Sequence, residues 1–184
     1  MLYSDAEHDA VASACAEADA VIVRASTGAH TGVDMARLDA FLRELSGGGK
    51  TVMPDPHTVS KLGAKSCVSR LNDLKFGMSG TVVYNTPGEL TEGLPGSLAG
   101  GARVLKANRG TQGTAVWLCT VDPTDGDAVT VQYAKDSSIE TMSMADLTDK
   151  LVKVFTADVP DSESGYSTEA TDPCYFVDQM YFPE

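Results

Sequence analysis

Arg103-Val104-Leu105-Lys106-Ala107-Asn108-Arg109-Gly110-Thr111-Gln112-Gly113-Thr114-Ala115-Val116-Trp117 is the stretch on which the fold turns. It reads as a strand ending near a lysine, a glycine-containing loop, and a returning strand. Downstream, Ala115–Val121 and Val129–Ala134 repeat the strand texture. The run Asp122-Pro123-Thr124-Asp125-Gly126-Asp127 joins them as a tight turn. These make three strand candidates joined by short connections in the second half of the chain.

The first half has another rhythm. Ser4-Asp5-Ala6-Glu7 is a capping box, and small apolar residues follow at helical spacing to about Ala18. Ala20–Arg24 is expected as a short buried strand. Asp34–Leu45 places Met35, Leu38, Phe41, Leu42 and Leu45 on one helical face, closed by Gly47-Gly48-Gly49. Thr51–Met53 is a second strand, stopped by Pro54-Asp55-Pro56. Helix, strand, helix, strand predicts an α/β layer with parallel strands. A domain boundary is expected near residue 56. Beyond it, His57–Leu74 reads as helix broken at Gly63, Thr81–Tyr84 as strand, and Thr86–Leu98 as a weak helix interrupted by Gly and Pro. Ser143–Phe155 is amphipathic helix, Ala157–Asp172 polar loop, and Tyr175–Phe182 a last strand.

Composition narrows the function classes. The 184 residues carry 14 Lys and Arg against 26 Asp and Glu, a formal net charge of −12, and the sequence pI is about 4.5. An acidic surface of this kind argues against nucleic acid or an anionic membrane as partner, while leaving room for a small basic pocket. From Thr156 to Glu184 there are seven acids and no Lys or Arg, expected as a solvated loop. No window approaches 18 consecutive apolar residues, and the first residues lack a basic segment followed by an apolar one. A cytoplasmic location is the expectation. Cys15, Cys67, Cys119 and Cys174 form no close-spaced pair, so reduced thiols are expected rather than a metal site.

Phosphate binding asks for the kind of arrangement found in Arg103–Trp117. Glycines let backbone N–H groups approach phosphate oxygens, Lys106 supplies a positive charge at the loop mouth, and Arg109 adds a forked donor. A flexible hairpin with incidental basic residues is the alternative. Other candidates are weaker. His8, His30 and His57 show no HExxH-like spacing and are expected at surface or loop positions. Ser26–Gly32 lacks the GxGxxG spacing and reads as a plain βα loop. Asp122, Asp125 and Asp127 lack the glutamate of a calcium loop.

A second lysine motif lies upstream, Lys61-Leu62-Gly63-Ala64-Lys65-Ser66. With Val104-Leu105-Lys106-Ala107 and the loop Asn108–Gly113, it resembles the ATP-grasp superfamily. Members carry a G-D-K helix whose lysine reaches the ATP phosphates, then a V-x-K-P/A strand and a glycine-rich loop. Gly63-Ala64-Lys65 matches the first with Ala in place of Asp, and the chain looks most similar to an uncharacterised bacterial ATP-grasp-like family. The resemblance spans about residues 51–184. It implies an α/β (α+β) fold: a partial preATP-grasp layer over 1–56, then the first ATP-grasp lobe with its antiparallel sheet over 57–184. Tyr175–Glu184 looks like the inter-lobe hinge strand, with Asp178 at the position that takes ribose or the adenine edge and Gln179, Met180 and Tyr181 flanking the base.

The resemblance therefore implies ATP as ligand, held by Lys65, Lys106, Arg109, Gly110, Thr111, Gln112, Gly113, Asp178, Gln179, Met180 and Tyr181. Carboxylate–amine or carboxylate–thiol ligase chemistry is implied for a complete member. The Glu and Asn that hold Mg²⁺ belong to a second lobe, so Mg²⁺ is expected only where that lobe is supplied, and this chain alone is expected to bind nucleotide without acting as a ligase. A partner bearing that lobe, or a homo-oligomer, is the matching expectation. The alternative is a non-enzymatic acidic α/β interaction module that uses its acidic tail.

Overall fold

The computed structural model describes residues 2–25, 32–108, 113, 115–155 and 176–183. The chain divides into two units, Met1–Ala64 and Lys65–Glu184.

The first unit begins with a 3₁₀ turn, Asp5–Glu7, which runs into helix α1, His8–Glu17. Ser4 caps it as its spacing predicts, its side chain accepting from the Glu7 amide. Strand β1, Ala20–Ile22, pairs in parallel with β2, Thr51–Met53. Between them lies α2, Met35–Gly47, capped by Asp34, which accepts from the Ala36 and Arg37 amides. Val11, Leu38 and Phe41 form a small core with Tyr3, Cys15 and Leu42 packed on it. The parallel pairing is as expected, but β1 is not a buried strand. Ile22 is 73% exposed, because a two-stranded sheet leaves one surface without a covering layer. The unit closes with α3, Pro56–Leu62, capped by Asp55 on the Thr58 amide, so this helix falls on the near side of the division and not beyond it.

The second unit opens with a 3₁₀ segment, Lys65–Leu71, in place of a continued α-helix. Its six-stranded sheet has the order β3-β8-β4-β5-β6-β7, every adjacent pair antiparallel. The strands are β3 Val82–Tyr84, β4 Arg103–Ala107, β5 Val116–Val121, β6 Ala128–Tyr133, β7 Ile139–Ser143 and β8 Phe176–Met180. Strand β8 inserts between β3 and β4, with Tyr84 and Ala107 both opposite Phe176. Strand β7 has no counterpart among the sequence expectations. It is an edge strand, exposed over its first three residues, so it lacks the alternation that betrays a half-buried strand.

Two helices cover one face of the sheet. Helix α4, Pro87–Ala99, is continuous through Gly93, Pro95 and Gly96, contrary to the expected interruptions. Leu90, Leu94 and Leu98 recur every four residues and are almost wholly buried. Burying each is worth about 2 kcal/mol, enough to offset poor helix formers. Thr86 caps the helix on the Glu89 amide. Gly93 has a packing role, since a Cβ there would lie 2.7 Å from the Tyr84 ring. Helix α5, Met144–Phe155, adds Leu147 and Leu151 to a core with Leu105, Trp117, Cys119, Val129, Val131 and Phe176. No described helix is long and apolar enough to cross a membrane.

Candidate functional site

Alternation along β4 and β8 decides which side chains can act. On β4, Arg103, Leu105 and Ala107 are buried under the helices, while Val104 and Lys106 point to the opposite face and are half-buried. On β8, Phe176 and Asp178 share the helix-covered face, and Val177 and Gln179 share the other.

Lys65 and Lys106 come near enough at the end of β4 for their charges to interact. The Lys65 amide donates to Asn108 O at 2.9 Å, and Lys65 Nζ donates to Ala107 O at 2.9 Å. The Ser66 amide donates to Asn108 Oδ1 at 2.8 Å. The end of β4 thus clamps the start of the 3₁₀ segment, and Asn108, only 3% exposed, is the clamp. Lys106 Nζ donates to Gln179 Oε1, and Gln179 Nε2 donates to Met78 Sδ at 3.4 Å. Burial pushes the Lys65 ammonium below the usual lysine range, and the Lys106 charge pushes it further. Burial lowers Lys106 as well. Two like charges on half-buried side chains repel and are poorly hydrated, which is the direction of both shifts.

Asp178 does not join them. It is fully buried beneath the helices, where Arg103 Nε donates to its Oδ1 at 2.5 Å. Tyr84 Oη and Ser97 Oγ donate to Oδ2 at 2.9 and 2.5 Å. Arg103 Nη2 also donates to Gly80 O at 2.7 Å. A carboxylate so engaged and so covered cannot take a ribose or a base edge, so the expected nucleotide role of Asp178 is corrected to a structural one. Period-two alternation puts Met180, which pairs with Arg103, on that same side. Gln179 shares the Lys106 face with Val177, and the Tyr181 amide donates to Ala102 O at 2.9 Å. The network tunes its neighbours. The Tyr84 phenol is raised well above its ordinary value by burial and then by the Asp178 charge. Burial, with the same charge, pushes the Cys119 thiol up to about 12, so it is unreactive.

Gly113 adopts a φ of +75° and lies against the backbone of Ala134 and Lys135, where a Cβ would come within 3.2 Å. Glycine is required there on both counts. The other expected loop ligands, Arg109, Gly110, Thr111 and Gln112, lie outside the described residues, as do Cys174, His30, the Ser26–Thr31 part of the βα loop and the 156–175 segment. The remaining histidines have structural partners. His8 Nδ1 is 2.9 Å from Tyr3 Oη and its ring packs edge-on against Phe41. His57 Nδ1 lies 2.5 Å from Arg43 Nη1. Asp122 and Asp125 accept from the Thr124 and Asp127 amides in a turn, as expected.

Reading by residue type overlooked Asn108, Met78 and Arg103. A signal for Arg103 exists: in Arg-Val-Leu-Lys-Ala it is in phase with Leu105 and Ala107, so it faces the core and needs a buried carboxylate opposite. Searches against protein-family models, curated proteins and solved structures match nothing to this chain.

Proposed function

We propose that the second unit is a nucleotide-binding lobe of the ATP-grasp type, with Lys65 and Lys106 holding the phosphates. The observation that carries the reading is that these two lysines, 41 residues apart in sequence, lie close enough at the end of β4 for their charges to interact. Each ammonium is fixed by a neutral oxygen acceptor, Ala107 O or Gln179 Oε1, and not left to search solvent. A polyphosphate set against them gains charge-assisted hydrogen bonds without the cost of ordering long side chains. Gln179 Oε1 and Nε2 border the same place and suit a polar edge of the ligand. What is proposed for this chain is binding. Ligase chemistry, joining a carboxylate to an amine or thiol, would draw on Mg²⁺ ligands that the resemblance assigns to another lobe.

The test is titration with ATP and ADP, read by calorimetry and by thermal shift. A ligand present at about a hundred times its Kd stabilises the native state by ~2.7 kcal/mol. Lys65→Met and Lys106→Met should each abolish the shift while leaving the fold intact. No shift at millimolar nucleotide, or one indifferent to both substitutions, overturns the proposal and leaves the acidic interaction module in its place. Affinity should fall as pH rises through the depressed lysine values, because only the protonated forms attract phosphate.

A further inference from the structure

The first unit does not fill its own interior. Helix α1 brings Val11 and Cys15, α2 brings Leu38, Phe41 and Leu42, and β1 brings Val21 to an open cavity of about 660 Å³. A two-stranded sheet is too narrow to cover the apolar faces of two helices, so space is left between the layers. The core carries the mark of it. Val11, Leu38 and Phe41 keep 8%, 6% and 9% of their surface, whereas Leu90, Leu94 and Leu105 in the second unit keep none. The volume falls within the roughly 300–1,000 Å³ of small-molecule sites, whose walls are mostly apolar.

The polar groups of the wall are not equivalent. Tyr3 Oη lies 2.9 Å from His8 Nδ1, and Ser4 Oγ accepts from the Glu7 amide, so both are engaged within the protein. Arg24 follows the carboxyl end of β1, the place where open α/β sheets take ligands. It is the one charged residue among the described lining residues, and it is exposed. Among the described residues its guanidinium has no hydrogen-bond or ion-pair partner. At 0.1 M salt the net charge of −12 is screened beyond about 10 Å, so the local cation decides which head group is favoured.

We propose that this cavity binds an aliphatic monocarboxylate, with its hydrocarbon tail among Val11, Val21, Leu38 and Phe41 and its carboxylate on Arg24. The guanidinium fork matches the two carboxylate oxygens. The tail gains by leaving water, and the head pairs at an exposed place where desolvation costs little. The site belongs to the first unit and draws on neither Lys65 nor Lys106, so it stands apart from the nucleotide reading.

The experiment titrates the full chain with hexanoate, octanoate and decanoate at neutral pH, below micelle-forming concentrations, by calorimetry. Affinity should rise about fourfold with each added methylene. Octanol should bind about fivefold more weakly than octanoate, the upper worth of an exposed ion pair, and octylamine more weakly still. Arg24→Gln should erase that preference and leave octanol binding unchanged. Location is read separately by peptide mass spectrometry: decanoate should slow N-ethylmaleimide alkylation of Cys15 and leave Cys67, in the second unit, unaffected. The proposal is overturned by absence of binding, by affinity that ignores chain length, or by equal affinity for acid, alcohol and amine. Indifference to Arg24→Gln or an unprotected Cys15 overturns it equally. Should Arg24→Gln fail to fold, the three head groups on the native chain decide.

Discussion

The two faces of the six-stranded sheet treat charge in opposite ways. Under α4 and α5, opposite charges meet in a closed set, with Arg103, Tyr84 and Ser97 all directed at Asp178. On the other face two cations stand together, each resting on a neutral oxygen. The first arrangement pairs a buried carboxylate with its donors, and the second is the one for which anion binding is proposed. Adjacent residues of one strand, Asp178 and Gln179, belong to these different worlds, and the pleat alone separates them.

The hardest way to break the contrast is Asp178→Ala. It leaves Arg103 buried without its partner and should cost ~3–5 kcal/mol in urea or thermal unfolding. The double variant Arg103→Met/Asp178→Leu should recover much of that loss, since an apolar pair of similar volume avoids the stranded charge. Additive losses would mean the pair is not coupled. A smaller effect is expected at Gly93. Gly93→Ala drives a methyl against the Tyr84 ring, at about 1–3 kcal/mol. Tyr84→Ala placed on top should relieve the clash while adding its own cavity.

The pH dependence separates the faces without touching the backbone. Tyr84 keeps its proton in the folded state above the unfolded value of 10.0. Its contribution is therefore present below pH 10 and lost above it, at a limiting slope of ~1.4 kcal/mol per pH unit. Lys65 and Lys106 have the opposite sign. Their folded values lie below 10.5, so the burial cost is full below those values and is relieved as pH rises toward 10.5. Chemical denaturation between pH 8 and 11 should show a fall in native stability to which the buried Cys119 thiol and Tyr84 both contribute, and Tyr84→Phe should make that fall shallower above pH 10. The smallest stability effect belongs to Lys106→Met, within about 1 kcal/mol of the native chain at neutral pH. Its large effect is on anion binding, and a variant that lost several kcal/mol would show Lys106 to be a packing residue.

Much of this frame is legible in the residues themselves. The parallel pair β1–β2, the strands β4, β5, β6 and β8, and the cap at Ser4 follow from spacing and side-chain chemistry. Lys65 and Lys106 are nominated by their motifs, and their charges interact at the end of β4. What escaped detection depends on neighbours far along the chain. Helix α4 survives its glycines and proline because Leu90, Leu94 and Leu98 have a sheet to pack on. Asp178 looked available because its strand, read alone, does not tell which face the helices will cover. Strand β7, exposed at its start, had no apolar period to announce it.

The insertion of β8 between β3 and β4 has a consequence for how this unit is made. Strands β3 and β4 do not touch; the last of the eight to leave the ribosome bridges them. Until it arrives, two rows of backbone N–H and C=O groups stand open and Arg103 has no counter-ion, so the sheet must form late, by closing a long stretch of chain. Between the emergence of β4 and that of β8 a nascent polypeptide of this kind carries sticky margins, and the step that seals them also settles which side of the sheet will carry Gln179.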